Sequence, residues 1–172
     1  MGLMRFRLAV PLLIAFTAVI PASAGAQTLT IRLTSVTKSQ VQHNIKPLNK
    51  TNKGDYVEFR DLLMNDVPQF GKAKGDPLAW DEGVIRYTSA TQRIIIVTVH
   101  VPGIGTLKYQ GKLSPSNPVD VVKIVGGTGG FKGAKGTLTM VPSATTSNAT
   151  PNVFVVTVPG HPLNINGSGG VA

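Results

Sequence analysis

From Thr28 to Thr37 the chain alternates, with Leu29, Ile31 and Leu33 on one side and polar or β-branched neighbours on the other, which predicts a first β-strand. The following stretch, Lys38 to Lys53, is polar, contains Pro47 and asparagines, and reads as a loop. Asp55 to Arg60 predicts a second strand, and Asp61 to Pro68 a connection of mixed character. Gly83 to Ser89 and Arg93 to Val101 predict two more strands, joined near Ala90-Thr91-Gln92. Within the second of these, Ile94 to Val99 is apolar on both faces, the pattern of a central strand covered on both sides. In Thr106 to Leu113, Leu107, Tyr109 and Leu113 share one face, while Thr106, Lys108, Gln110 and Lys112 share the other. Asp120 to Val125, Thr137 to Val141 and Val153 to Val158 complete about eight short strands, with turn residues at the junctions and no amphipathic helix. Strands of this length and spacing make a sandwich or a barrel. Several are apolar or mixed on both faces, which favours an all-β closed barrel with a filled or ligand-holding interior.

The densest glycine run lies between two of these strands. Ile124 to Gly136 holds six glycines in thirteen residues, and Gly127, Gly129 and Gly133 approximate a dinucleotide-binding fingerprint. That motif works where a strand passes through the glycines into a helix whose N-terminus holds the pyrophosphate. Here Gly133 and Gly136 oppose a helix, each at about 1 kcal/mol relative to Ala. The chain then resumes alternation at Thr137-Leu138-Thr139-Met140-Val141. The run also lacks the Gly-Lys-Ser/Thr ending of a phosphate loop. It reads as strand, glycine turn, strand.

Residues 1–26 have the layout of a secretory leader. Arg5 and Arg7 precede an apolar run from Leu8 to Ile20, and cleavage sites follow after Ala24 or Ala26. The run is shorter than the ~20 residues of a membrane span, and no other segment could form a stable one. The expected mature chain is secreted or periplasmic, with one domain over residues 27–160 and a flexible tail over 161–172. Cysteine is absent, so neither disulfides nor thiolate chemistry contribute. Loss of Arg5 and Arg7 leaves 15 basic residues against 8 acidic, a net charge of +7. The basic residues are dispersed from Arg32 to Lys135 without a stripe or interleaved aromatics, which speaks against nucleic acid as a partner. His43, His100 and His161 lie far apart and show no metal-ligand spacing, and no nucleophile elbow occurs.

The glycine run, Ile124-Val125-Gly126-Gly127-Thr128-Gly129-x-Phe131-x-Gly133-Ala134-x-Gly136, resembles the signature of the allene oxide cyclase and dirigent barrel superfamily. Upstream, Gly54-Asp55-x-Val57-x-Phe59-x-x-x-Leu63 is similar to an early strand of allene oxide cyclases. Phe70-Gly71 followed by Gly75-Asp76-Pro77-Leu78-Ala79 is similar to the acidic segment of plant dirigent proteins. Together these cover roughly Gly54 to Val158. The resemblance implies an eight-stranded antiparallel β-barrel with an apolar cavity, often assembled as a homotrimer. It also implies chemistry on a hydrophobic or aromatic small molecule without a cofactor: cyclisation of a fatty-acid epoxide, or stereoselective coupling of phenolic radicals. Two departures are plain. Ile31-Arg32-Leu33-Thr34 has no acid where the cyclases place a glutamate, and Gly75 replaces the first aspartate of the dirigent acidic pair.

Such chemistry needs an acid or base at a cavity wall. Asp76, the remaining acid of the dirigent-like segment, precedes Pro77 in a stretch expected at a barrel mouth and is the first catalytic candidate. Asp120 is the second, because alternation in register places it with Val122 and Ile124 on an apolar face. Asp81 and Glu82 would face opposite ways on a strand and read instead as solvated turn residues. Arg86 and His100 read as rim residues. Three functions stay open: a barrel that binds an apolar or aromatic ligand, a cofactor-free cyclase, isomerase or dirigent-type auxiliary, and a structural barrel solid with side chains. A cavity of roughly 300 Å³ or more lined by an unpaired carboxylate distinguishes the second.

Overall fold

The computed structural model describes residues 25–45, 51–114, 119–141, 149–160 and residue 163. The expected leader therefore lies outside the described residues but for its last two positions. So does the expected tail, except that Leu163 is buried and its carbonyl accepts a hydrogen bond from Gln27 Nε2 at 3.1 Å.

Eight strands form one closed antiparallel barrel: β1 (Gln27–His43), β2 (Tyr56–Asn65), β3 (Pro77–Tyr87), β4 (Arg93–Val101), β5 (Gly105–Leu113), β6 (Asp120–Gly129), β7 (Lys135–Met140) and β8 (Ala149–Val158). Each strand pairs with its neighbours in sequence, and β1 closes on β8 from Gln27↔Val158 to Val36↔Ala149. Closure leaves no sheet edge unpaired. No helix among the described residues is long and apolar enough to cross a membrane.

Five strands are clearly longer than the hydrophobic pattern predicts: β6 runs on to Gly129, β8 starts at Ala149, and β1, β2 and β3 are extended too. β1 continues through Ser39–His43, part of the expected loop, because these residues pair with Tyr56–Arg60 of β2 although most of them are exposed. Backbone hydrogen bonds to a neighbour hold a strand even where neither face is apolar. β2 takes in Asp61–Asn65, whose inward positions alternate Asp61, Leu63, Asn65, so polar residues inside the barrel hide the period. β3 starts at Pro77, a strand's first position being one that proline tolerates. Its register shifts against β2 between Leu63 and Met64, and Leu78 and Ala79 are both buried.

The glycine run is a strand and a turn, as its pattern predicts. β6 extends to Gly129 and the chain turns over Gly130–Ala134 into β7. At Gly136, φ is +142° and an added Cβ would lie 1.9 Å from the Val155 carbonyl oxygen, so β7 approaches β8 as only glycine permits.

Leu29, Ile31 and Leu33 of β1, Val99 and Val101 of β4, Leu107 of β5, and Val156 and Val158 of β8 point inward and fill one half of the barrel. Phe131, Ala134 and Leu163 plug that end. The outer face of β4 is not covered as the sequence pattern predicts: Ile96 is 58% exposed while Ile95, Val97 and Val99 are buried.

Candidate functional site

The other half of the barrel is open. A cavity of about 350 Å³ enters it from the end that carries the β1–β2, β3–β4, β5–β6 and β7–β8 connections. Its walls mix apolar residues (Val57, Phe59, Ile85, Ile95, Leu113) with polar ones (Ser35, Thr37, Asp61, Arg93, Asp120, Asn152). The change falls within single strands. The inward positions of β1 run Leu29, Ile31, Leu33 and then Ser35, Thr37, and those of β8 run Val158, Val156, Phe154 and then Asn152. Asn152 Nδ2 donates to Ser35 Oγ at 2.5 Å across this junction.

Two acids meet at the cavity floor. Asp61 on β2 and Asp81 on β3 are directly opposite partners in the ladder, and both project inward. Asp61 lines the cavity, whereas Asp81 lies behind it and is only 2% exposed. Tyr109 of β5, which also lines the cavity, places its hydroxyl against Asp81 and its ring edge-on to Phe154. Burial pushes the Asp81 carboxyl up to about 8, and the charge of Asp61 adds to the rise, outweighing a backbone contact from Asp61 and the Tyr109 hydroxyl. Asp61 is also raised by burial, against a stabilising contact from the Thr37 hydroxyl. Tyr109 is raised well above the usual phenol range by burial and then by the two acids. The two acids therefore titrate as a pair that holds a proton through neutral pH. Asp61 Oδ1 and Asp81 Oδ1 are buried without a hydrogen-bond partner.

Asp120 does lie in the cavity wall, on the inward side of β6 with Val122 and Ile124, and its Oδ1 accepts a hydrogen bond from the Ser114 amide at 3.3 Å. Asp76 lies elsewhere. It is exposed in the β2–β3 connection at the filled end, where Oδ2 accepts from the Ala73 amide at 2.8 Å and its carbonyl accepts from the Asn65 amide. The structure thus brings neither sequence candidate into contact with the acidic pair.

Asp81 and Glu82 are strand residues, not the solvated turn their neighbours led us to expect. They do face opposite ways: Asp81 inward, and Glu82 outward to Arg60 Nη2 at 3.0 Å. His100 stacks on Trp80 at 3.8 Å with Nε2 3.5 Å from Glu82 Oε1, and Arg86 lies over Tyr56, all on the outside. Sequence reasoning missed Asp61, Asp81 and Arg93. The available signal was inward register, since Asp81 alternates with Gly83, Ile85 and Tyr87. Among the described residues, no group of three or more His, Cys, Asp or Glu could hold a metal ion.

No protein-family model matches the sequence, and no curated relative does. Solved structures do match its fold. One is a pyocyanin demethylase (22% identity, TM-score 0.60), with 74% of this chain and 99% of that one covered. A second is the pterocarpan synthase dirigent protein GePTS1 (18% identity, TM-score 0.64, coverage 83% and 91%). A third is AbnU, an exo-specific intermolecular Diels-Alderase (11% identity, TM-score 0.60, coverage 77% and 98%). With eight strands closed in sequence order and these three likenesses, the chain shares its barrel fold with solved structures that include a dirigent protein and a Diels-Alderase.

Proposed function

We propose that the open half of the barrel holds a hydrophobic or aromatic small molecule and steers its cyclisation by proton transfer at Asp61, without a cofactor. The observation that carries this reading is a pair of partnerless, inward-facing carboxyl oxygens at the floor of a cavity of about 350 Å³. A barrel serving only as structure gains nothing from buried acids, each of which costs free energy when desolvated. A dirigent protein and a Diels-Alderase built on the same fold support the choice of ring-forming or stereochemistry-directing chemistry.

Asp61 is the group that reaches the ligand. As a carboxylate it takes a proton from an O–H or C–H of the bound molecule. The electron pair released forms the ring bond, and the protonated pair returns the proton to the carbon or oxygen that gained charge. The net reaction is an isomerisation that consumes no proton. Asp81 acts through Asp61 by keeping a proton beside it, and Tyr109 by offering a hydroxyl to the pair. Asp120, at the other side of the wall, serves as a second polar contact. The apolar wall, Phe59, Ile85 and Ile95, selects one folded shape of the ligand and hence one stereochemical outcome.

A cyclisable phenol such as 2′-hydroxychalcone, whose ring closure is a net isomerisation that creates a stereocentre, tests this. The wild type should accelerate closure and give an enantiomeric excess, and Asp61→Asn should lose about 10²–10⁴ of the rate. Wild-type product that is racemic and formed at the uncatalysed rate would sink the catalytic reading. Retained binding of the phenol in that case supports the alternative, a non-catalytic ligand-binding barrel.

The export and assembly expectations belong to the same proposal. N-terminal sequencing of protein recovered outside the cytoplasm should begin at Gly25 or Gln27. A homotrimer would cover the exposed outer-face residues Ile96, Val121 and Val125 of β4 and β6. A monomer mass by light scattering would refute it.

A further inference from the structure

Arg93 is the one basic residue among the described residues that line the cavity. It opens β4 beside Tyr87, the last residue of β3, and its guanidinium lies 5.8 Å from the centre of the Tyr87 ring. Its Nε is buried and has no hydrogen-bond partner, and no ion pair to a described residue reaches it. Asp120, which faces the same space, accepts a hydrogen bond from the Ser114 amide at Oδ1. A guanidinium that is oriented by an aromatic ring, partly desolvated and without a counter-ion among the described residues is prepared for the anion of a ligand. A buried donor left unpaired carries its desolvation cost, which a ligand would recover.

Placement makes the observation more specific. Arg93, at the first position of β4 and so towards the mouth, and Asp61, deeper in the barrel, line the same cavity. Asp61 pairs with Asp81, Asp81 with Val99, and Arg93 lies six residues before Val99 on the same strand. Barrel strands tilt, so register partners stand at different heights: Val99 belongs to the filled half while Asp61 still lines the cavity, and the rise from Asp61 to Arg93 is shorter than the ~20 Å of strand between Val99 and Arg93. Between them run Phe59, Ile85 and Ile95.

We propose that the cavity mouth is a carboxylate subsite, in which Arg93 takes the anionic group of an elongated apolar or aromatic substrate whose reactive end lies at Asp61. This rests on the lumen-binding reading above and adds the substrate class: monocarboxylates with a flat or narrow apolar body. The fork of a guanidinium matches the planar carboxylate in two parallel hydrogen bonds, which a neutral group of the same shape cannot reproduce. The acids at the floor, Asp61 and Asp81, repel an anion, so the carboxylate end stays at the mouth and the opposite end enters first. Arg93 therefore fixes direction as well as affinity.

Biphenyl-4-carboxylate and its neutral carboxamide, titrated calorimetrically against the mature chain, test the subsite. The wild type should bind the carboxylate about tenfold more tightly or better. Arg93→Gln should remove that preference while leaving carboxamide affinity within about twofold. Arg93→Met, which keeps the length of the stem, replaces it should Arg93→Gln fold poorly. Equal binding of the two probes by the wild type, or a preference that survives both substitutions, overturns the subsite and leaves the lumen reading standing. Failure of both probes to bind the wild type overturns the lumen reading and this inference together.

Discussion

The two halves of the barrel are made from the same strands and obey the same alternation, yet one is a core and the other a site. In the filled half, inward positions are mostly Leu, Ile and Val, the buried Asn65 at the end of β2 is hydrogen-bonded to Gln69, and Phe131 is fully buried as the plug. In the open half, the same strands place Ser35, Thr37, Asp61, Arg93, Asp120 and Asn152 inward around a cavity. Every buried apolar side chain in the first half contributes roughly 1.5–3 kcal/mol. The polar residues of the second half contribute little or oppose folding, since partnerless buried polar atoms carry their desolvation cost. The filled half therefore supplies stability that the open half uses up, which is the arrangement expected where binding or chemistry needs prearranged polar groups.

The largest way to expose that contrast is to titrate it. The Asp81 pKa is raised in the folded state, to about 8 from 3.8. Between those values the folded chain binds more protons than the unfolded one, so stability must fall as pH rises. The stability associated with this group is fully present below about pH 4 and lost by about pH 8. At ~1.4 kcal/mol per unit the shift sets a ceiling of roughly 6 kcal/mol, part of which water reaching the open cavity will offset. Asp81→Asn keeps the shape of the protonated acid and should flatten the dependence, so that the variant is the more stable protein at pH 8. Urea denaturation from pH 4 to pH 9 measures this directly. Parallel curves for variant and wild type would mean that the pair is well solvated.

Phe131→Ala probes the other half. Removing a fully buried aromatic plug should cost about 3–5 kcal/mol at every pH, because no titrating group is involved. Thermal melting at pH 5 and pH 8 should show the same loss, in contrast to the pH-dependent effect of Asp81→Asn. Destabilisation below 1 kcal/mol would mean that the filled end collapses to compensate, and that the two halves differ less than their packing indicates.

The same contrast explains what could be read from the chain. Strands in which inward residues are apolar were legible, and Arg93–Val101 is found at its predicted limits. The turn after Gly129 was legible too, because glycines at positions such as Gly136 answer to backbone approach and not to side-chain choice. Where polar residues occupy inward positions the period disappears, and that is where Asp61–Asn65 and the start of β3 were misread. The site was hidden for the same reason. Asp61 and Asp81 come from different strands and meet only through a register that no local pattern encodes. Asp120 could be placed inward because its own strand continues Val122, Ile124. Asp76 owed its standing to a resemblance of segment, which carries no information about which end of the barrel the segment occupies.

A middle-sized effect is expected at the glycine contact. Gly136→Ala would bring a methyl group against the Val155 carbonyl at a φ of +142°, so β7 and β8 must separate locally. The cost should be about 1–3 kcal/mol. Because β7 also carries Met140 into the cavity wall, ligand affinity should weaken together with stability. Stability lost without any change in affinity would show that the halves are mechanically independent.

The smallest effect separates the exposed acid from the cavity acids. Asp76 Oδ2 holds the Ala73 amide within an exposed turn at the filled end, so Asp76→Ala removes one solvent-accessible hydrogen bond worth about 0.5–1.5 kcal/mol. That turn meets the rest of the barrel through β3 and through the backbone of Asn65 at the end of β2, neither of which depends on the Asp76 side chain, and β3 from Asp81 onward is held by its pairing with β2 and β4. Asp76→Ala should therefore leave both the affinity for an aromatic ligand and its pH dependence as in the wild type, while Asp61→Asn changes both. A loss of ligand affinity in Asp76→Ala beyond about twofold would place the turn within reach of the ligand. The division of the barrel into a stabilising end and a working end would then fail at the position where the sequence first pointed to chemistry.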